Sequence, residues 1–397
     1  MRFSLGTVLP LLSRRTSGRA LIPEIDGLRS VAIMSVVLFH AAGYFAAASK
    51  HGTDGTAIDA FLTRLLHVFD YGVPVFFVIS GFILALPFAA HHLRGEKKPG
   101  LRTYFLRRLT RLEPPYIVAL TVLLALKLAG IVSTPGAEDG NAATTELLKH
   151  YAASLFYVHN IVYGEMSTIL GLAWSLEVEV QFYILAPLLT SIFAIRSAPL
   201  RRLILIIAIG VLSRLFGVDK PSDGLTILNH APYFLAGMLL ADLHLAGLDR
   251  GPRSANLWDL LAVLGIAGAF LAPAYGFAPA LTVPWFVLLA FASVFRAGPV
   301  RSFFRAAPVV ILGGMCYSIY LWHSTAIGAA RPVLLRITGA DADWPTRLAF
   351  VLLAAIPAVA VSAVFFLLIE RPTMIPHWPS KLWGRIRGGS PQAPASS

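Results

Sequence analysis

Mostly apolar runs of about 20 residues, the length a helix needs to cross the hydrocarbon core of a bilayer, recur along the chain. They lie at 28–48, 68–90, 114–132, 172–195, 202–217, 227–246, 257–273, 281–296, 308–330 and 347–369. Short polar connections, many of them basic, separate the runs. The pattern predicts an all-α polytopic membrane protein with about ten transmembrane helices. The segment 151–163, YAASLFYVHNIVY, is too short to span and is expected to be re-entrant or interfacial. No internal repeat or inverted duplication of motifs is found, which weakens the case for a repeat-built transporter.

Composition agrees with the bilayer reading. Residues AVILMFWYC make up 56% of the chain and charged residues only 14%, against about 25% charged in soluble domains. Mean hydropathy is +0.70. A disordered chain is excluded, and no soluble core could hide this much apolar surface. The net charge of +12 would suggest nucleic acid in a soluble protein, but here the basic residues sit between apolar runs and read as topology, with no nucleic-acid partner expected. With the N-terminus inside, cytosolic segments hold 23 of the 33 basic residues and outer segments hold seven. The positive-inside rule then puts both termini in the cytosol. The expected organisation is a cytosolic N-terminal segment (1–22) without a secretory signal, a membrane domain (23–372) and a disordered cytosolic tail (373–397). The single cysteine, Cys316, excludes an internal disulfide or a cysteine-based metal cluster, and no metal site is expected.

Polar residues inside apolar runs carry the functional signal, because a charge at mid-bilayer costs roughly 2.5–3.5 kcal/mol on insertion scales. In IDGLRSVAIMSVVLFH, which also holds Asp26, Arg29 and His40 are eleven residues apart, three helical turns plus about 20°, and so share one face about 16 Å apart. Taken singly, Arg29 could snorkel to headgroups and His40 could bond a neighbouring carbonyl. In LAWSLEVEVQFY, Trp174, Glu177 and Gln181 form one stripe, while Glu179 is rotated by about 200° from Glu177. Glu177 is the preferred partner for an intramembrane histidine, against the plainer reading of a helix-start carboxylate favoured by the helix dipole. Glu179 is expected to pair structurally with another helix. His323 in CYSIYLWHS and Ser80 in FFVISGF have ordinary structural readings, the serine as a helix-packing residue. Arg108 and Arg111, at i and i+3 in LRTYFLRRLTRLEPPY, are either positive-inside charge or lipid contacts, or a clamp for a phosphorylated ligand, since guanidinium forks match phosphate geometry.

In order and spacing, IPEIDGLRSVAIMSVVLFH, FFVISGF, FLRRLTRLEPPY, WSLEVEVQFY, YSIYLWH and the closing IERP resemble the acyltransferase-3 family of membrane-embedded O-acyltransferases over about residues 22–372. LEPPY departs from the family pattern at Glu113 and Pro115. The resemblance implies ten or more spans and transfer of an acyl group, commonly acetyl from acetyl-CoA, to a hydroxyl of a saccharide or other acceptor, typically across the cytoplasmic membrane. It makes His40 the essential histidine and Arg29 the arginine of its motif. It assigns Arg108 and Arg111 to the acyl-CoA donor and Glu177 to the fourth-span carboxylate. Asp26, Ser80, Trp174, Gln181 and His323 are supporting candidates. Some members carry a further hydrolase-like soluble domain that these residues do not include, so the unit is expected to act alone or with a separate extracytoplasmic partner.

A thioester is already activated, so the protein must bring a hydroxyl close, remove its proton and stabilise the oxyanion. His40 could act as general base, with Glu177 orienting it, or as a nucleophile carrying the acyl group. A proton-coupled secondary transporter would also bury His and Glu and is the alternative reading.

Overall fold

The computed structural model describes residues 12–14, 22–48, 56–132, 141–248, 255–341, 343–374 and 378. Most of the expected N-terminal segment, 1–22, and of the expected tail, 373–397, lies outside the described residues. Among these there is no strand. The helices are α1 (Pro23–Ala46), α2 (Ala57–Val68), α3 (Gly72–Arg94), α4 (Leu101–Leu128), α5 (Asn141–Leu155), α6 (His159–Tyr163), α7 (Ala173–Leu189) and α8 (Ala198–Phe216). They continue with α9 (Ile227–Leu245), α10 (Ala255–Ala274), α11 (Pro279–Val294), α12 (Pro299–Phe304), α13 (Ala307–Gly314), α14 (Cys316–Thr338) and α15 (Trp344–Phe365).

Each of the ten expected runs is helical. By length and apolarity six helical stretches qualify as membrane spans: Pro23–Ala46, Ala57–Arg94, Leu101–Leu128, Ala173–Ala194, Asn256–Ala274 and Trp344–Thr373. A seventh is the pair α13 and α14, bent by 74°. The runs at 202–217, 227–246 and 281–296 form α8, α9 and α11. Arginines in α8, His and Asp in α9, and the 16-residue length of α11 hold these below a full span by the same measures. Two expectations of continuity changed. The third run is the C-terminal half of the 28-residue α4, which Pro114 and Pro115 do not interrupt. The ninth run breaks at Gly313-Gly314, where a Cβ at Gly313 would overlap the Asp26 carbonyl; glycine there lets α13 lie directly on α1.

Helix α1 is the hub, packing against α3, α13, α14 and α15. Its start is written in the sequence: Pro23 opens the first turn, and Glu24 and Asp26 sit at the positive end of the helix dipole. The tightest crossing is between α3 and α9, where Cβ atoms at Gly81 or Gly237 would overlap backbone of the other helix. Small residues of this kind let helices approach where lipid offers no hydrophobic drive to associate. Contacts between connections sort them to two ends. At one end Arg301 pairs with Glu24 (2.7 Å), Arg14 with Asp26 (2.7 Å), and Arg94 and Arg296 donate to the Leu245 and Leu248 carbonyls. At the other, Arg331 donates to the Ala47 carbonyl, Arg347 pairs with Asp59 (2.7 Å), and Tyr71 donates to the Asp219 carbonyl.

Candidate functional site

The basic end of α1 holds a charge cluster. Asp26, fully buried, takes Arg29 Nη1 on one oxygen (3.1 Å) and Arg14 Nε on the other (2.7 Å). Arg29 is also within electrostatic reach of Glu179 and Cys316. Burial, then the neighbouring Arg29, pulls the Arg14 guanidinium down to about 10, so it stays charged at neutral pH. Arg111 lies near Arg14, Cys316 and Glu370. The buried Glu370 accepts the Ser318 backbone N–H (3.0 Å) and hydroxyl (2.5 Å), tying the chain after α15 to the first turn of α14. Arg108 donates to the Tyr104 carbonyl (3.1 Å) and lies over the Tyr104 ring at 4.1 Å and the Tyr183 ring at 5.7 Å. Guanidinium faces stacked on tyrosines in this way keep their edge donors free for a ligand.

Further along α1, His40 meets His323 of α14. Their rings are 5.0 Å apart at 69°. His323 is fully buried, and its Nδ1 donates to the Ile319 (2.7 Å) and Tyr320 (3.0 Å) carbonyls. Carbonyls only accept, so the neutral ring carries its proton on Nδ1 and a lone pair on Nε2. That Nε2 lies 3.4 Å from His40 Nδ1, and His40 Nδ1 in turn donates to the Val36 carbonyl (2.9 Å). By the same argument His40 carries its proton on Nδ1 and leaves Nε2 basic. Tyr44 and Ser324, bonded at 3.1 Å, join the two helices one step further on.

The structure gives Glu177 partners other than a histidine ring. Its Oε2 accepts the Asn160 backbone N–H (2.8 Å), and the His159 amide also faces it. It thus caps the start of α6, which is the helix-start reading of this carboxylate transferred to a neighbouring helix. The rest of its stripe follows the same direction. The Trp174 carbonyl accepts from Asn160 Nδ2 (3.0 Å), the Trp174 ring packs on His230 and Phe77, and Gln181 Oε1 accepts the Ile227 N–H (2.9 Å). Opposite, Glu179 accepts the Ser80 hydroxyl and faces Arg29, Arg108 and Tyr183. Glu179 therefore pairs with another helix as expected, and it joins Asp26 among the carboxylates of the arginine cluster. His40 instead has the Val36 carbonyl and His323 as its polar contacts among the described residues.

Arg29, Arg108 and Arg111 thus gather in one cluster, with Asp26 and, through Glu179, Ser80 beside them. His40 and His323 meet deeper along α1, whereas Trp174, Glu177 and Gln181 serve the far-end connections. Sequence reasoning missed Arg14, Tyr104, Tyr183 and Glu370. Tyr104 and Tyr183 are each four residues from a singled-out charge, Arg108 and Glu179, and that helical spacing could have marked them. Arg14 carries no such signal, because it reaches Asp26 from outside any helix that spans. Among the described residues no cluster of three or more His, Cys, Asp or Glu could hold a metal ion.

A family model described as an acyltransferase domain, of the acyltransferase-3 type, matches residues 22–367. The chain is 25% identical over 342 residues to the O-acetyltransferase OatA of Staphylococcus aureus, covering 76% of this chain and 50% of that protein; it spans about half the length of these relatives. It is 31% identical over 314 residues to the exopolysaccharide production protein ExoZ of Rhizobium meliloti, covering 76% and 89% of the two chains. With the acyltransferase MdmB of Streptomyces mycarofaciens it shares 25% identity over 398 residues, 92% of this chain and 93% of that one. No solved structure matches the chain.

Proposed function

The chain belongs to the acyltransferase-3 family, and from that premise we propose that it is a membrane-embedded O-acyltransferase moving an acetyl group from acetyl-CoA to a hydroxyl of a saccharide or related acceptor. The membrane is the cytoplasmic membrane, crossed ten times with both termini inside. The sorting of basic connections to one end of the bundle supports this orientation, by the positive-inside rule. One observation carries the functional reading: α1 carries both Arg29 of the arginine cluster and a histidine whose Nε2 is left basic.

In this reading the donor enters from the cytosol. Arg29, Arg108 and Arg111 take its phosphates, with Arg108 held flat by Tyr104 and Tyr183. The thioester then reaches up α1 towards His40, and the acceptor hydroxyl comes from the opposite side. His40 Nε2 accepts the hydroxyl proton as oxygen attacks the thioester carbon. The C–S bond breaks, and the proton passes from the imidazolium to the leaving CoA thiolate. His40 is half-buried among apolar helices, which limits access of water that would otherwise hydrolyse the thioester. The related proteins named for O-acetyl transfer, acyl transfer and exopolysaccharide production support this substrate class. Family membership does not favour the transporter alternative. The test is ester-linked acetate released by mild alkali from envelope and secreted polymer of cells with and without the gene. Equal acetate in both would reject the proposal, as would flux of an unmodified substrate.

A further inference from the structure

We infer that His323 is the positioning residue for His40, a neutral histidine standing where hydrolase triads place a carboxylate. This rests on His40 moving the acceptor proton. Three observations carry it. The His323 Nδ1 proton is committed to two carbonyls of its own helix, so Nε2 has only a lone pair to offer. That lone pair faces the one N–H of His40 at 3.4 Å, shared with the Val36 carbonyl. The polar contacts of His40 among the described residues are the Val36 carbonyl and His323, and Glu177, the acid expected for this role, is bound to the Asn160 amide.

The chemistry follows from the low polarity around the pair. A carboxylate fully buried here would cost several kcal/mol unless paired with a charge. A neutral imidazole supplies an acceptor without that cost. When His40 takes the acceptor proton on Nε2 it becomes an imidazolium whose Nδ1–H has two neutral acceptors, Val36 O and His323 Nε2. The near-perpendicular ring contact also fixes the plane of His40, so that Nε2 keeps its aim. A second acceptor of this kind is a weaker aid than a triad carboxylate, whose loss costs on the order of 10⁴.

The experiment uses two variants of the full chain in inverted membrane vesicles from producing cells, which expose the cytosolic face and carry the cells' own acceptor. Radiolabelled acetyl-CoA is titrated, and incorporation is expressed per inserted molecule. His323→Phe keeps ring volume without an acceptor and should lower kcat by about 10², with the donor KM unchanged. His323→Gln, whose Oε1 reaches the place of Nε2, should recover to within about tenfold of wild type. A merely structural histidine predicts equal losses in both, and that result, or full activity in His323→Phe, overturns the proposal. Nitrogen-15 NMR of histidine-labelled protein in lipid nanodiscs reads the geometry directly, with His40 identified by its loss in His40→Ala. The expected spectrum has His40 protonated on Nδ1 in the wild type and a mixture of tautomers in His323→Phe. A wild-type His40 protonated on Nε2 overturns the proposal. If instead His40→Ala transfers label normally, the functional reading fails while the NMR result still decides the pair.

Discussion

Two histidine pairs in this protein have almost the same ring separation and different surroundings. His40 and His323 have ring centroids 5.0 Å apart and a 3.4 Å nitrogen contact. His150 of α5 and His159 of α6, in a segment outside the spans, have centroids 4.9 Å apart and a closer contact of 2.7 Å. His159 Nδ1 donates to the Glu165 carbonyl, so its Nε2 accepts from His150, and Tyr163 stacks on both rings. On hydrogen bonding alone the second pair is the better made. Only the first lies on the helix that also carries Arg29 and Asp26 of the arginine cluster. An imidazole pair is therefore not a site by itself; what reaches it decides.

The largest expected effect separates the pairs outright. His40→Ala should lower acyl transfer by at least 10² while leaving insertion intact, and retention of more than a tenth of wild-type ester acetate would put the two pairs on the same footing. His150→Ala removes the donor of the second pair and should leave transfer per inserted molecule within about twofold, as changes away from a site usually do; a loss comparable with His40→Ala would break the contrast.

The arginine cluster that distinguishes the first pair is tested next. Replacing Arg108 and Arg111 together by Ala should raise the acetyl-CoA KM by about tenfold or more, each charge-assisted bond contributing roughly 1.5–3 kcal/mol. Topology should hold, because Arg94, Lys97, Lys98, Arg102 and Arg107 retain the inside charge. Unchanged donor binding in a vesicle titration would detach the arginine cluster from the histidine.

A smaller effect sorts the two carboxylates of α7. Glu179→Gln, which removes the charge facing Arg29 and Arg108, should change the donor KM by severalfold, on the scale of about 1 kcal/mol. Glu177→Gln should leave the kinetics near normal and lower thermal stability by about 1 kcal/mol, since an amide oxygen still accepts the Asn160 N–H but caps α6 less well. Kinetic loss confined to Glu177→Gln would place the acid of the site with the second pair instead.

The smallest effect is a pH dependence belonging to the second pair. Burial, then the neighbouring His150, holds the His159 imidazole below its ordinary value of 6.5. A depressed histidine binds its proton more weakly folded than unfolded, so its contribution is complete above pH 6.5 and is lost as pH falls below it. The thermal midpoint should therefore be level from about pH 8 to 7 and fall towards about pH 5.5, and His159→Asn should flatten that slope. An identical slope in the variant would assign it to other groups.

Apolar runs fixed the helical class and the positions of the helices, because the cost of unsatisfied backbone in lipid leaves almost no other structure for such runs. Helical periodicity also put Arg29 and His40 on one face of α1 and turned Glu177 and Glu179 apart, since both statements concern a single helix. Which way the fourth-run helix faces was not written there. Rotating α7 by half a turn preserves every spacing within it, and only packing against α3, α6 and α9 sends Glu179 to the arginines and Glu177 to Asn160. The break at Gly313-Gly314 likewise depends on a neighbour, since close contact with the Asp26 carbonyl is what requires glycine. A histidine rather than a carboxylate stands behind His40 because partners 283 residues apart meet through helix packing, and Arg14 enters the site because the chain before α1 folds back onto Asp26; local periodicity encodes neither.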